Sequence, residues 1–213
     1  MIRLPVTLRS DRVLGALVAS SLAAAGVHAG VAGAHFREAE AVGVFFTLTA
    51  AFQTGWPIAM VRWPSRRLAA VGAVGSAGLI LLWIVSRTDG LPLGPDRWTS
   101  EAIGAADVLA TACEAVVVAG VVWLFSVGWR PGTVTRAAVA GSAIRAAWAL
   151  GPLSAAVLIG GGHQALRHEA APTHTAHMVL LIGACGVYAL YLAMHGWVSG
   201  GYRFTWRLSP VEP

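Results

Sequence analysis

The stretch LAAVGAVGSAGLILLWIVS, residues 68–86, contains no charged side chain and is bounded by Arg66 and Arg67 on one side and Arg87 on the other. About 20 apolar residues in a helix cross the ~30 Å hydrocarbon core of a bilayer. Five further runs of this kind appear, at about 13–34, 41–61, 101–127, 137–160 and 175–198. In lipid each backbone polar group must find its partner inside the segment or across a closed barrel, and these runs are too long for barrel strands. The expected fold class is therefore all-α: one polytopic transmembrane domain spanning residues 1–213, with six helices.

Composition agrees. The 213 residues are 56% hydrophobic and 12% charged, against about 25% charged in a soluble domain. Mean hydropathy is +0.67. Every basic residue other than histidine is arginine, and Ala, Gly and Val abound, which points to a high-GC bacterial genome and the cytoplasmic membrane as location. The net charge of +5 implies no nucleic-acid partner, because the arginines flank apolar runs and form no basic patch interleaved with aromatics. The expected partner is the lipid bilayer, with homo-oligomer or membrane-complex subunit both compatible. The first apolar run exceeds the 7–15 residues of a signal-peptide core and reads as a retained helix.

Topology follows from the loops. Arg62, Arg66 and Arg67, then Arg130 and Arg136, then Arg203 and Arg207 fall on the same side as Arg3, Arg9 and Arg12. The opposite loops mix Arg37, Arg87, Arg97 and Arg167 with Asp89, Asp96, Glu101 and Glu169. The positive-inside rule then places both termini in the cytoplasm. Trp56, Trp63, Trp83, Trp98, Trp129, Trp197 and Trp206 lie near expected helix ends, as an interfacial belt requires. Cys113 and Cys185 sit within apolar runs and form no CxxC pair or disulfide framework.

Ionisable groups deep in a membrane are costly and mark function by default. Here they are His28, Asp107, Glu114 and His195, with His35, Glu38, His163, His174 and His177 near helix ends. His28 and His35 are two turns apart and share a face, as do Asp107 and Glu114. Under the expected topology most of these lie in the outer half. Imidazole with carboxylate is a first-row metal ligand set. The leading expectation is an outward-facing site for zinc or copper with His28, His35, Asp107, Glu114 and His177 as ligands and Glu38 as general base, serving metal handling or metal-dependent chemistry. Whether the chain is an enzyme stays open. A proton- or ion-coupled transporter using Asp107 and Glu114 is the alternative. Haem between His28 and His177 is a weaker one, and a structural or accessory subunit, in which His28 bonds Asp107 or Glu114, is a further one. The Ser86–Pro95 segment is rich in Gly and Pro. It reads as a rigid connection, or as a cap in which Arg87 pairs with Glu38, Asp107 or Glu101.

The run His35-Phe36-Arg37-Glu38, the Phe45-Phe46 pair with Gln53, the Ser86–Pro95 segment, and Asp107 with Glu114 resemble a family of small membrane proteins of high-GC bacteria. The resemblance covers roughly residues 25–120 and implies no activity. A looser similarity links the chain to membrane hydrolases of the alkaline ceramidase and adiponectin-receptor type, which hold zinc with His and Asp. Those have seven helices and an HxxxH pair where His174 and His177 form HxxH, so the similarity assigns no catalytic residue.

Overall fold

The computed structural model describes residues 6–92 and 96–166; the expected span at 175–198, and with it His174, His177, Cys185 and His195, lies outside the described residues. The described residues form an all-α structure of five helices: α1 (Val6–Glu38), α2 (Glu40–Arg62), α3 (Arg66–Thr88), α4 (Ala105–Ser126) and α5 (Arg136–Leu166). Four of them, α1 to α4, are long and apolar enough to cross a membrane. That supports an integral membrane protein.

α1 is the central element. It packs against α2, α4 and α5, and its apolar stretch is the most enclosed of the four, whereas α3 is the most exposed. Its small residues, Ala19, Ala23, Ala24 and Ala25, are all buried and let neighbouring backbones approach. α3 leans chiefly on α4 and turns Val71, Val74, Leu81 and Ile84 outward. In water such a face would be a liability; in lipid it is the surface the solvent requires.

The helix ends follow from local chemistry. α1 runs on to Glu38, past the expected end at 34, which keeps Glu38 on the helix that carries His28 and His35. α3 starts at Ser65, whose hydroxyl accepts from the Leu68 amide at 3.1 Å. It stops where Gly90 takes φ of 76°, with the Asp89 and Gly90 amides both returning to the Val85 carbonyl. α4 begins at 105, four residues later than expected. The Asp107 carboxylate accepts from the Gly104 amide at 3.0 Å, and the Glu101 amide is drawn to the Ser86 carbonyl.

Arg62, Arg66, Arg67, Arg130 and Arg136 lie at one end of the bundle, in and beside the α2–α3 and α4–α5 connections. Arg136 donates to the Arg62 carbonyl at 3.1 Å, and Arg66 lies over the Phe125 ring. The other end holds the α1–α2 junction with Glu38 and Glu40, and the α3–α4 connection with Asp89, Asp96 and Glu101.

Candidate functional site

The centre of the site is a residue type that the search for ionisable groups passes over. Gln53, 2% exposed in the middle of α2, joins α1 to α4. Pro57 lies four residues further on and has no N–H to return to the Gln53 carbonyl. That carbonyl instead accepts from the Ser21 hydroxyl of α1 at 2.7 Å. One proline thus frees the backbone of Gln53, and α1 supplies the partner that lipid cannot.

The side chain completes the link. Its amide nitrogen donates to Glu114 Oε1 at 2.8 Å, and its oxygen accepts from His28 Nδ1 at 2.8 Å. With Glu114 ionised, the reverse amide orientation would set the Gln53 oxygen against the carboxylate, so in that state the network fixes the orientation. It also fixes the imidazole: Nδ1 carries the hydrogen, and in neutral His28 the Nε2 lone pair is left free. That nitrogen lies 3.9 Å from the same Glu114 Oε1. Two acceptors therefore face each other across a gap that contains no proton of its own when Glu114 is ionised and His28 neutral. All three residues are buried. Glu114 is nine residues into α4 and His28 ten before the end of α1, so the chain lies about 15 Å from the acidic end at 1.5 Å per residue, near the midpoint of a bilayer core.

Phe46 touches both histidines of α1. Its ring stacks on His35 at 4.2 Å between centroids and 6° between planes, and meets His28 at 5.6 Å in a tilted contact. His35 Nδ1 donates to Glu38 Oε2 at 2.7 Å, with Glu38 largely exposed. Phe45 supports Phe46 edge-on.

Asp107 belongs to a different cluster. Arg87, nine-tenths buried at the end of α3, donates through Nη2 to Asp107 at 2.7 Å and through Nη1 to Glu101. Of the three partners the sequence allows for Arg87, the structure selects these two and leaves Glu38 to His35. The structure thus brings together His28 and Glu114 through Gln53, places His35 with Glu38, and sets Asp107 apart with Arg87. Among the described residues, no three His, Cys, Asp or Glu side chains converge to hold a metal ion. The expected ligand His177 lies outside them.

Gln53 enters the sequence analysis only through the family resemblance, with no role, and Arg145 does not enter it. Arg145 sits within the fifth apolar run, exposed, and donates to Ser142 Oγ at 3.0 Å. For Gln53 the available signal was a lone amide side chain in an apolar run followed at i+4 by proline.

No protein-family model matches the chain, no curated protein is significantly similar to it, and no solved structure matches it.

Proposed function

We propose that the chain is a proton-coupled membrane protein in which His28, Gln53 and Glu114 form the proton-binding unit. The observation that carries this is the facing pair of acceptors, His28 Nε2 and Glu114 Oε1, 3.9 Å apart in a buried setting. A proton on either group serves both once the pair closes from 3.9 Å to hydrogen-bond distance: it resides on Glu114 and is donated to the imidazole, or on His28 and is donated to the carboxylate. Gln53 holds the two groups in register and stays bonded to each in either state. Exchange with the surface runs past Phe46 to His35 and Glu38. In this reading the chain has six spans with both termini in the cytoplasm of a bacterium, the arginine-rich end inside, so the unit opens outward. The coupled process is transport of a solute.

The same gap supports a second reading. Two acceptors separated by 3.9 Å also suit a zinc or copper ion with His28 and Glu114 as ligands, if His177 approaches from the last span. Asp107 is then excluded as a ligand by its pairing with Arg87, and His35 serves with Glu38 at the entrance.

The test is infrared difference spectroscopy on the full chain in liposomes through a pH step, beside elemental analysis of untagged protein. A protonated-carboxyl band that appears with the step and is lost in Glu114→Gln supports the proton unit. Near-stoichiometric zinc or copper lost in His28→Ala replaces it with the metal reading. Neither signal in folded protein leaves the polar chain as a structural link and sinks both.

A further inference from the structure

Arg145 is the one arginine inside any of the five apolar runs that fall within the described residues. It is exposed on α5, and so is Trp148, 67% open and one turn further on. The guanidinium bends back along the helix: it donates to Ser142 Oγ at 3.0 Å, and a Cβ on Gly141 would lie 3.6 Å from its Nη1. That bond leaves four of its five donors, and among the described residues no carboxylate pairs with it. A guanidinium in hydrocarbon is costly. Tryptophan belongs at the membrane interfaces, yet Trp148 lies mid-run, 11 residues from one end of the stretch 137–160 and 12 from the other. This face of α5 needs a protein cover.

We propose that the cover is the chain's own last span, 175–198, with Arg145 donating to a neutral His195 and Trp148 lying against Tyr188. This docking rests on the six-span arrangement and is independent of the proton unit. Length places the span here: eight residues, 167–174, separate it from the end of α5 at Leu166, and helices joined by so short a connection are antiparallel neighbours. Register agrees with length. Counted from the arginine-rich end of each run, the guanidinium lies level with residues 141–142, four to five residues in. His195 is three residues in from 198, and a helical side chain leans toward its own N-terminus, about one residue deeper. Both groups come to about 6 Å inside at 1.5 Å per residue. Trp148 is eleven residues in and Tyr188 ten. Tyr188, Tyr191 and His195, spaced by three and four, form one polar stripe that lipid cannot serve.

Charge argues against the other occupants. A two-fold contact with a second copy would set Arg145 against Arg145. The acids beyond the described residues are Glu169 and Glu212, and neither lies in the span. Glu169 precedes it at the opposite end, and Glu212 comes 14 residues after it, with Arg203 and Arg207 between. The imidazole of His195 is the acceptor that the span itself offers at the level of the guanidinium.

The experiment is oxidative cross-linking of paired cysteines in the full chain in cell membranes, with Cys113 and Cys185 replaced by alanine. Trp148→Cys with Tyr188→Cys should cross-link within one chain. Trp148→Cys with Gly186→Cys, whose second position lies on the far side of a helical span, should not. Equal cross-linking of the two pairs would overturn the proposed face. Cross-linking of Trp148→Cys alone between two chains would give the face to a second copy and overturn the docking. Absence of any cross-link would overturn it as well, and labelling of Thr173→Cys and Ser209→Cys by an impermeant maleimide says why. Label from opposite sides of the membrane means that the span exists and docks elsewhere; label from one side means that the six-span arrangement itself fails. Thermal unfolding in detergent reads the polar contact separately. His195→Leu should lower the unfolding temperature, and by less than half as much in an Arg145→Leu background. Equal shifts in the two backgrounds would overturn the contact between Arg145 and His195.

Discussion

The hydroxyl of Ser21 on α1 donates to the backbone carbonyl of Gln53 on α2 at 2.7 Å, and that carbonyl is available because Pro57 follows four residues later. The helix gives up one internal bond and gains a bond between helices at the level of the polar chain. In lipid, where water cannot compensate, the two sites are energetically coupled.

A double-mutant cycle should show it. Ser21→Ala in the natural chain leaves a buried carbonyl unsatisfied and should cost about 1–3 kcal/mol. In a Pro57→Ala background the backbone N–H gained at position 57 can take the carbonyl, and Ser21→Ala should cost under about 1 kcal/mol. Unfolding in detergent, followed by circular dichroism, reads both values. Equal costs in the two backgrounds would mean that Pro57 has no part in the Ser21 contact.

Gln53 should be the most sensitive position of α2. Gln53→Leu keeps an apolar side chain of similar length but strips Glu114 of its donor and His28 of its acceptor. The expected loss is about 2–5 kcal/mol, since a buried charged partner is left alone. Glu114→Leu in the same chain should recover part of that loss. The comparison by thermal unfolding of the single and double variants is direct, and a double variant worse than the sum would contradict the pairing.

The sequence made the bundle legible and the site only half so. Four expected spans coincide with α1 to α4 because length and apolarity are properties of a segment alone. The helix faces were legible too: the two-turn spacing put His28 with His35 and Asp107 with Glu114. What spacing could not reveal is depth relative to another helix. Asp107 lies in the first turn of α4 within reach of Arg87, while Glu114, two turns deeper, meets Gln53. The face is shared and the partners differ, so two carboxylates that read as one site act in two. The role of Gln53 was hidden because a neutral amide carries no charge signal and takes its meaning from the two helices that flank it.

Arg87 holds the α3–α4 connection through two different carboxylates, one per terminal nitrogen. Lysine has one ammonium and cannot reproduce this fork. Arg87→Lys should therefore destabilise nearly as much as Arg87→Gln, by about 1–2 kcal/mol, because the guanidinium is buried while Asp107 and Glu101 are partly open to solvent. Asp107→Asn separates the roles of its carboxylate: the amide oxygen still caps the Gly104 N–H, but the ion pair is gone. It should fall between the natural chain and Asp107→Ala in thermal unfolding. Equal values for the Asn and Ala variants would show that the ion pair alone matters.

The glycines of α3 should divide sharply. A Cβ on Gly72 would run into the ring of buried Trp56, which is tethered by its indole N–H to the Leu68 carbonyl at 2.8 Å. A Cβ on Gly78 would meet nothing. Gly72→Ala should cost about 1–3 kcal/mol by overpacking, and Gly78→Ala should be neutral or gain up to about 1 kcal/mol from helix propensity. Thermal unfolding of the two variants checks this. A neutral Gly72→Ala would mean that α2 and α3 separate freely at this level.

Phe46 should control access to His28. Its centroid distances of 4.2 Å to His35 and 5.6 Å to His28 leave the ring filling the space between two imidazoles that are two turns apart on α1. Diethyl pyrocarbonate acylates an unprotonated imidazole nitrogen, and His28 Nε2 is such a nitrogen when Glu114 supplies no proton. In the natural chain His35, partly exposed, should be acylated first and His28 slowly. Each ring contact is worth about 0.5–1.5 kcal/mol. Phe46→Ala should therefore raise the His28 rate relative to His35 about tenfold, the effect of ~1.4 kcal/mol on a barrier. Phe46→Leu, which keeps a bulky plug, should give a smaller rise. The readout is peptide mass spectrometry over a time course. An unchanged His28 rate in Phe46→Ala would place the barrier elsewhere, while the infrared test of Glu114 would still stand or fall by itself. A rise in both variants to the same value would show that the aromatic face, rather than bulk, is what closes the path.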